Sequence, residues 1–306
     1  MPASNQSPAS VLKGTSYGLA AVAIWAVYLS STRLAVSTTL TPSDVILLRF
    51  SVAGLVMLPW VWANNPATLG GVGWWRGFAL AAAVGPPFIL VASAAFIYVP
   101  LAHGAVLQPS TAAMSSILAA IVLLREKVSA SRIFGAAIIV TGITLIATSS
   151  HAIIGPEAWK GYVLSLMAGL CWATFTVLIR HWNIGGLHAT AAASVISGAV
   201  VVPVFFMIDT FDRIAALPGE TLVAQIVVQG LLAGVVAIVA YGRAIMHLGA
   251  SGAALFPALV PATTMVVGIP VTGEWPTSIE WTGAIMATVG LMVAVGVFNR
   301  TKAQPV

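Results

Sequence analysis

Charge is scarce in this chain: Asp, Glu, Lys and Arg together make up 7% of the 306 residues. A soluble domain carries roughly 25% charged residues, so a water-soluble globule is excluded. Cysteine is nearly absent as well. Cys171 is alone and sits inside an apolar run, which excludes an intramolecular disulfide and a Cys-rich metal site. No run of five or more basic residues occurs, so the net charge of +5 does not point to nucleic acid. Hydrolase signatures are missing too. There is no His-Glu-x-x-His, no Gly-x-Gly-Asp and no Gly-x-Ser-Gly, and Ser197-Gly198 lacks the earlier Gly. An intramembrane enzyme needs a nucleophile and base, or a metal cluster, at depth, and is therefore disfavoured. Neither a cofactor nor a metal is expected.

What is present is apolar. Hydrophobic residues make up 59% of the chain and the mean hydropathy is +1.00, so the expected surroundings are a lipid bilayer. A helix crosses the hydrocarbon layer with about 20 mostly apolar residues, each adding about 1.5 Å, with every backbone amide bonded internally. Cutting the chain at its polar, Pro and Gly punctuation yields ten such segments, at 15–36, 43–62, 77–97, 103–124, 131–149, 158–180, 188–208, 221–246, 250–270 and 278–298. The first is longer than a signal-peptide core of about 7–15 residues, and is expected to be a retained span. The connections are short, leaving no room for a soluble domain.

Orientation follows from the basic residues, which are retained on the cytoplasmic side. With the N-terminus inside, Lys13, Arg76, Arg125, Lys127, Arg132, Arg180, Arg243, Arg300 and Lys302 are cytoplasmic; Arg33, Arg49, Lys160 and Arg213 are not. Nine against four predicts both termini in the cytoplasm.

The chain also repeats itself. At an offset of 148, Leu107 falls on Leu255, Pro109 on Pro257, Glu126 on Glu274, Gly104 on Gly252, Ala105 on Ala253, Gly135 on Gly283 and Gly142 on Gly290. At an offset of 147, Gly14 meets Gly161, Trp25 meets Trp172 and Arg33 meets Arg180. Residues 1–150 and 151–306 are thus read as two five-helix copies. Five is odd, so the second copy enters the membrane from the opposite side. The expected fold is an all-α integral membrane protein whose ten helices form two inverted repeats, the architecture of secondary transporters with a substrate site near the midplane.

Particular motifs carry a resemblance. Leu48-Arg49-Phe50 in the second span, Leu124-Arg125-Glu126-Lys127 leading into Phe134-Gly135-Ala136-Ala137-Ile138 and Gly142, and Gly273-Glu274-Trp275 leading into Gly283 and Gly290 together resemble the drug/metabolite transporter superfamily in its EamA-type ten-helix form. The aromatic content is most similar to that of the YddG-type exporters of aromatic amino acids and paraquat. The resemblance implies a multi-pass protein of the cell inner (plasma) membrane that exports small molecules; export rests on the resemblance alone. A monomer is expected.

Candidate binding residues come from matched irregularities. Gly85-Pro86-Pro87 interrupts the third span, and Gly234 holds the same repeat position in the eighth. Proline removes a backbone donor and kinks a helix, so both spans are expected to bend around a cavity, with Pro86 at its wall. On the fourth span Gln108, Thr111 and Ser115 share one face; on the ninth their equivalents are Phe256, Leu259 and Thr263. Trp25 with Tyr28, and Trp172 with Phe175, repeat an aromatic pair at i and i+3. Two such faces would wall a pocket for a planar or cationic apolar ligand, with core packing the competing reading.

Tyr98, His103, Tyr241 and His247 lie at span ends and are expected at the membrane interface. Arg49 either snorkels outward, closes a gate or bonds carbonyls. Glu126 and Glu274 are expected to be structural in tight turns. All eight acids fall at or beyond span ends, whereas a proton-coupled pump generally needs an ionisable side chain at depth. The reading is therefore a facilitator or exchanger of neutral or zwitterionic solutes, leaning to amino acids. Proton-coupled efflux of cationic amphiphiles is the alternative, with His103 and His247 its only coupling candidates. Anionic sugar phosphates fit less well, because they call for cavity-facing Lys or Arg.

Overall fold

The computed structural model describes residues 8–122, 129–149, 155–207 and 214–295. Within them the chain is helical throughout, without strands. The helices are α1 (Pro8–Thr38), α2 (Pro42–Ala63), α3 (Trp74–Val84), α4 (Pro86–Tyr98), α5 (Leu101–Val122), α6 (Ala130–Ser149), α7 (Ala158–His181), α8 (Gly186–Met207), α9 (Gly219–Gln225), α10 (Ala237–Ala253), α11 (Leu255–Thr272) and α12 (Ser278–Ala294). A π-helical stretch, Ile226–Val236, joins α9 to α10. Among the described residues eight helices, counting α3–α4 as one and α9–α10 as one, are long and apolar enough to cross a membrane; α12 is a shorter apolar helix.

Local chemistry sets several boundaries. Thr41 and Asp44 form a capping box at the start of α2: the Thr41 hydroxyl accepts from the Asp44 amide, and Asp44 accepts from the Thr41 amide at 2.8 Å. Thr277 and Glu280 do the same for α12. Each satisfies two amides that a helix start leaves without partners. Gly273, at φ 72°, ends α11 in the left-handed conformation that glycine adopts without penalty. One expected boundary shifts. Lys13-Gly14 does not mark the start of the first helix, because α1 begins at Pro8 and Gly14 lies inside it, against His247 and Leu248 of α10.

The packing is symmetric between halves. Helix α1 lies on α10 and α11, as α7 lies on α4 and α5; α2 pairs with α8, and α6 with α12. Both of the last two pairs are close. A Cβ on Gly135 would stand 2.5 Å from the Ala294 nitrogen, and one on Gly142 would stand 2.6 Å from the Gly283 carbonyl. Gly290 returns to Gly135 and Gly283 to Gly142. Small residues let membrane helices approach backbone to backbone.

Residue numbers rise along α6 as they fall along α12, so these equivalent helices run antiparallel. Helices α2 and α8 behave alike, with Gly54 against Ser194 and Gly198 against Phe50. The glycines that match in sequence, Gly135 with Gly283 and Gly142 with Gly290, are the ones that exchange partners across the α6–α12 seam. That reciprocity is the mark of a two-fold relation.

Candidate functional site

Two interruptions sit at matching places. Helix α3 stops at Gly85, whose amide donates to the Ala81 carbonyl at 2.8 Å, and α4 starts at Pro86. Proline supplies no amide at that first position, where none is needed. In the second half Gly234 lies inside the π-helical stretch. A π-helix bonds i to i+5, is rare, and often marks functional positions. The helix is interrupted at Gly85-Pro86, and the counterpart is a widened helix rather than a proline break.

The π stretch meets α1 and α2 through polar groups. Gln225 and Gln229 are one turn apart and both are buried, Gln229 completely. Gln225 Nε2 donates to the Ser31 hydroxyl at 3.0 Å; Gln229 Nε2 donates to the Thr32 hydroxyl at 3.0 Å and to Gln225 Oε1 at 3.1 Å. The Thr32 hydroxyl in turn donates to the Tyr28 carbonyl.

One turn before Thr32, the Tyr28 ring lies 4.9 Å from the Arg49 guanidinium carbon. Arg49 Nη1 is out of reach of solvent and has no hydrogen-bond partner. The outward-snorkelling alternative for Arg49 is thus overturned, because Tyr28 holds the group inside the protein. Trp25, on the same face of α1 as Tyr28, packs against Tyr241 with ring centroids 5.4 Å apart. Tyr241 therefore belongs to this inner wall and not to the membrane interface.

The other aromatic pair lies elsewhere. Trp172 packs on Phe88 of α4 at 5.7 Å and on Phe175 at 5.8 Å. Trp172 is 38% exposed, whereas Phe175 and Tyr28 are buried. Trp25 and Trp172 thus have separate aromatic partners, each pair backed by its own half-helix from the opposite copy.

The polar face of α5 is largely occupied by the protein itself. Gln108 Nε2 donates to the Ala92 carbonyl of α4 at 3.1 Å, and Thr111 lies against Gly169 of α7. Ser115 is half-buried. On α11, Phe256 fills the space over Gly18 of α1, Thr263 is half-buried and the adjacent Thr264 is fully buried.

A second buried cluster corrects another expectation. His103 is fully buried, with Nδ1 3.1 Å from the Tyr162 hydroxyl and Nε2 3.0 Å from Glu280 Oε1. It is not interfacial. The first turn of α5 packs between α7 and α12, and Glu280 turns its second function inward while Oε2 caps α12. Glu274 is structural, as expected. It pairs with Arg33 at 2.6 Å and accepts from the Leu101 amide at 2.7 Å, while Arg33 also donates to the Phe96 carbonyl. Glu126 lies outside the described residues. Tyr98 sits beneath Lys160, and His247 stacks on Tyr17 and meets Ser10. No group of three His, Cys, Asp or Glu side chains that could hold a metal occurs among the described residues.

A profile of the EamA-like transporter family matches the chain twice, over residues 12–148 and 159–296. The chain belongs to that family. Both EamA matches fall on the two copies read from the sequence, so this is a membrane transporter with a duplicated domain. A solved structure described only as "Crystal structure of protein" is 16% identical, with a TM-score of 0.59 over 95% of this chain and 99% of that one. It shares the fold, and at that identity nothing more. No curated protein matches the chain. Within this EamA-like chain, sequence reasoning missed Gln225, Gln229, Ser31 and Thr32. Two glutamines at i and i+4 inside an otherwise apolar run were the available signal, since buried amides need partners.

Proposed function

We propose that this EamA-like transporter exports small neutral or zwitterionic metabolites, amino acids and aromatic ones among them, by facilitated diffusion or exchange. In this reading ten spans form two inverted five-helix repeats with both termini cytoplasmic, working as a monomer in the cell inner membrane with no enzymatic activity and no cofactor. The observation that carries it is the pair of interruptions at one repeat position, Gly85-Pro86 and the Ile226–Val236 stretch. Discontinuous helices at the repeat interface are where transporters of this architecture bind substrate. The antiparallel α6–α12 and α2–α8 pairs support the inversion, which lets one plan supply two outward and inward arrangements of similar free energy.

Counterflow in proteoliposomes, with aromatic, aliphatic and cationic solutes, tests this. Aromatic amino acids exchange in the wild type, and Trp25→Ala lowers that exchange. Trp172→Ala and Gln108→Ala are run alongside. If all three variants exchange like wild type, the wall assignment is wrong.

One observation favours a second reading, proton-coupled efflux: the buried Tyr162–His103–Glu280 contact places titratable groups inside the protein. If flux collapses when an imposed pH gradient is removed at constant membrane potential, and His103→Gln abolishes that dependence, coupling replaces facilitated exchange.

A further inference from the structure

The α1–α2–π junction holds two buried polar atoms of opposite character with nothing to bond. Arg49 Nη1 is a donor carrying positive charge, and it has no partner. Among the described residues no carboxylate pairs with it; the carboxylates of Glu274, Glu280 and Glu157 are engaged by Arg33, His103 and Lys160. Gln229 Oε1 is the other orphan.

The hydrogen-bond chain fixes which way the Gln229 amide points. The Thr32 hydroxyl spends its only hydrogen on the Tyr28 carbonyl, so it can only accept from Gln229. The amide nitrogen therefore faces Thr32, and it also donates to Gln225. What Gln229 has left is an acceptor.

The two groups lie on facing surfaces. Arg49, Val52 and Ala53 share one face of α2, and a Cβ on Gly230 or Gly234 of the π stretch would strike Val52 or Ala53. Arg49 rests on Tyr28, and Gln229 on Thr32 one turn along the same helix. A buried cation without a counter-charge is costly. An anion alone satisfies Arg49 but offers no hydrogen to Gln229. A molecule carrying both a carboxylate and an ammonium group satisfies both.

We propose that Arg49 and Gln229 hold the carboxylate and the ammonium group of a zwitterionic α-amino acid, with the Trp25–Tyr241 wall against its side chain. The assignment rests on the amino-acid reading above and names the groups that recognise its substrate. It makes both ends of the zwitterion necessary. A solute with the ammonium alone leaves Arg49 unpaired, and one with the carboxylate alone leaves Gln229 unpaired.

The test is direct binding to the purified full chain, read by tryptophan fluorescence, with three probes: L-phenylalanine, phenethylamine, which lacks the carboxylate, and 3-phenylpropionate, which lacks the ammonium. Counterflow of L-phenylalanine is measured in parallel. The wild type is expected to bind L-phenylalanine about 10-fold to 100-fold more tightly than either analogue, the range for losing a charge-assisted hydrogen bond. Arg49→Gln is expected to erase the preference over phenethylamine while keeping that over 3-phenylpropionate. Gln229→Met does the reverse. Each variant serves as the other's folding control, because each retains one preference.

Unchanged selectivity ratios in both variants, with wild-type exchange of amino acids intact, overturn the site and leave the transport reading standing. Arg49-dependent binding without exchange upholds the site and removes the transport reading. Equal binding of the three probes by the wild type, or binding of none, overturns the site.

Discussion

The interruptions between α3 and α4 and between α9 and α10 occupy the same place in the repeat and are built from opposite chemistry. In the first copy the break is a joint. Gly85 and Pro86 interrupt the backbone, and Leu80 and Ala81 pack among Ala191, Ala192 and Ile196, with the buried Ser197 hydroxyl beside Gly85. In the second copy no proline interrupts the helix. It widens into Ile226–Val236 and carries Gln225 and Gln229 into the interior. At the 148-residue offset Gly77 and Ala81 stand where the second copy has Gln225 and Gln229, and Ser197 stands where the first copy has Arg49. Duplication thus preserved a place for an interruption, while divergence left Arg49, Gln225 and Gln229 without counterparts of the same chemistry in the other copy. An asymmetric solute needs no symmetric site.

The sharpest way to break this contrast is Arg49→Gln. If the polar side binds substrate, L-phenylalanine exchange falls by about 100-fold, the upper range for a lost charged hydrogen bond, while the protein stays monodisperse on size exclusion. Unaltered exchange would make the two sides functionally alike.

Gly85→Ala probes the joint instead. The new methyl would strike the Ala81 carbonyl and approach the Ser197 hydroxyl at 2.5 Å, so a loss of about 1–3 kcal/mol in stability is expected from overpacking, seen as a lower unfolding temperature in detergent. Gln229→Met keeps the volume but removes the bonds to Thr32 and Gln225 and leaves Gln225 Oε1 without its donor, so a loss of about 1–3 kcal/mol in stability is expected beside an about 10-fold drop in exchange. Pro86→Ala has the smallest effect. It restores an amide at a position where a helix start does not use one. A stability change below about 1 kcal/mol is expected, with slower exchange if the break must flex. A larger loss of stability there would make the joint a structural necessity rather than a hinge.

Much of the architecture was legible because the bilayer imposes it. Backbone amides without water must bond within their own helix, so long apolar runs could become little else, and the Gly, Pro, Trp and Glu matches exposed the duplication. The interruption at Pro86 and the structural part played by Glu274 followed from residue type. The corrections share a cause. His103 and Tyr241 were expected at the interface by their distance along a span, and Arg49 was left open between snorkelling outward, a gate and carbonyl bonding; Glu280, Trp25 and Tyr28 hold the three inward. Position along a helix sets depth; it does not set the direction a side chain faces among packed helices.

Composition and periodicity by themselves determined a helical membrane protein made of two related halves, since hydrophobic length and internal matching are local properties of the chain. Which polar groups end up without partners was decided only by packing. Ser31, Thr32, Gln225 and Gln229 close their bonds across nearly 200 positions of sequence, and Arg49 is left with an aromatic ring and an open donor. Hydrogen bonds act over about 3 Å, and no pattern in the linear chain records which distant atoms come within that reach.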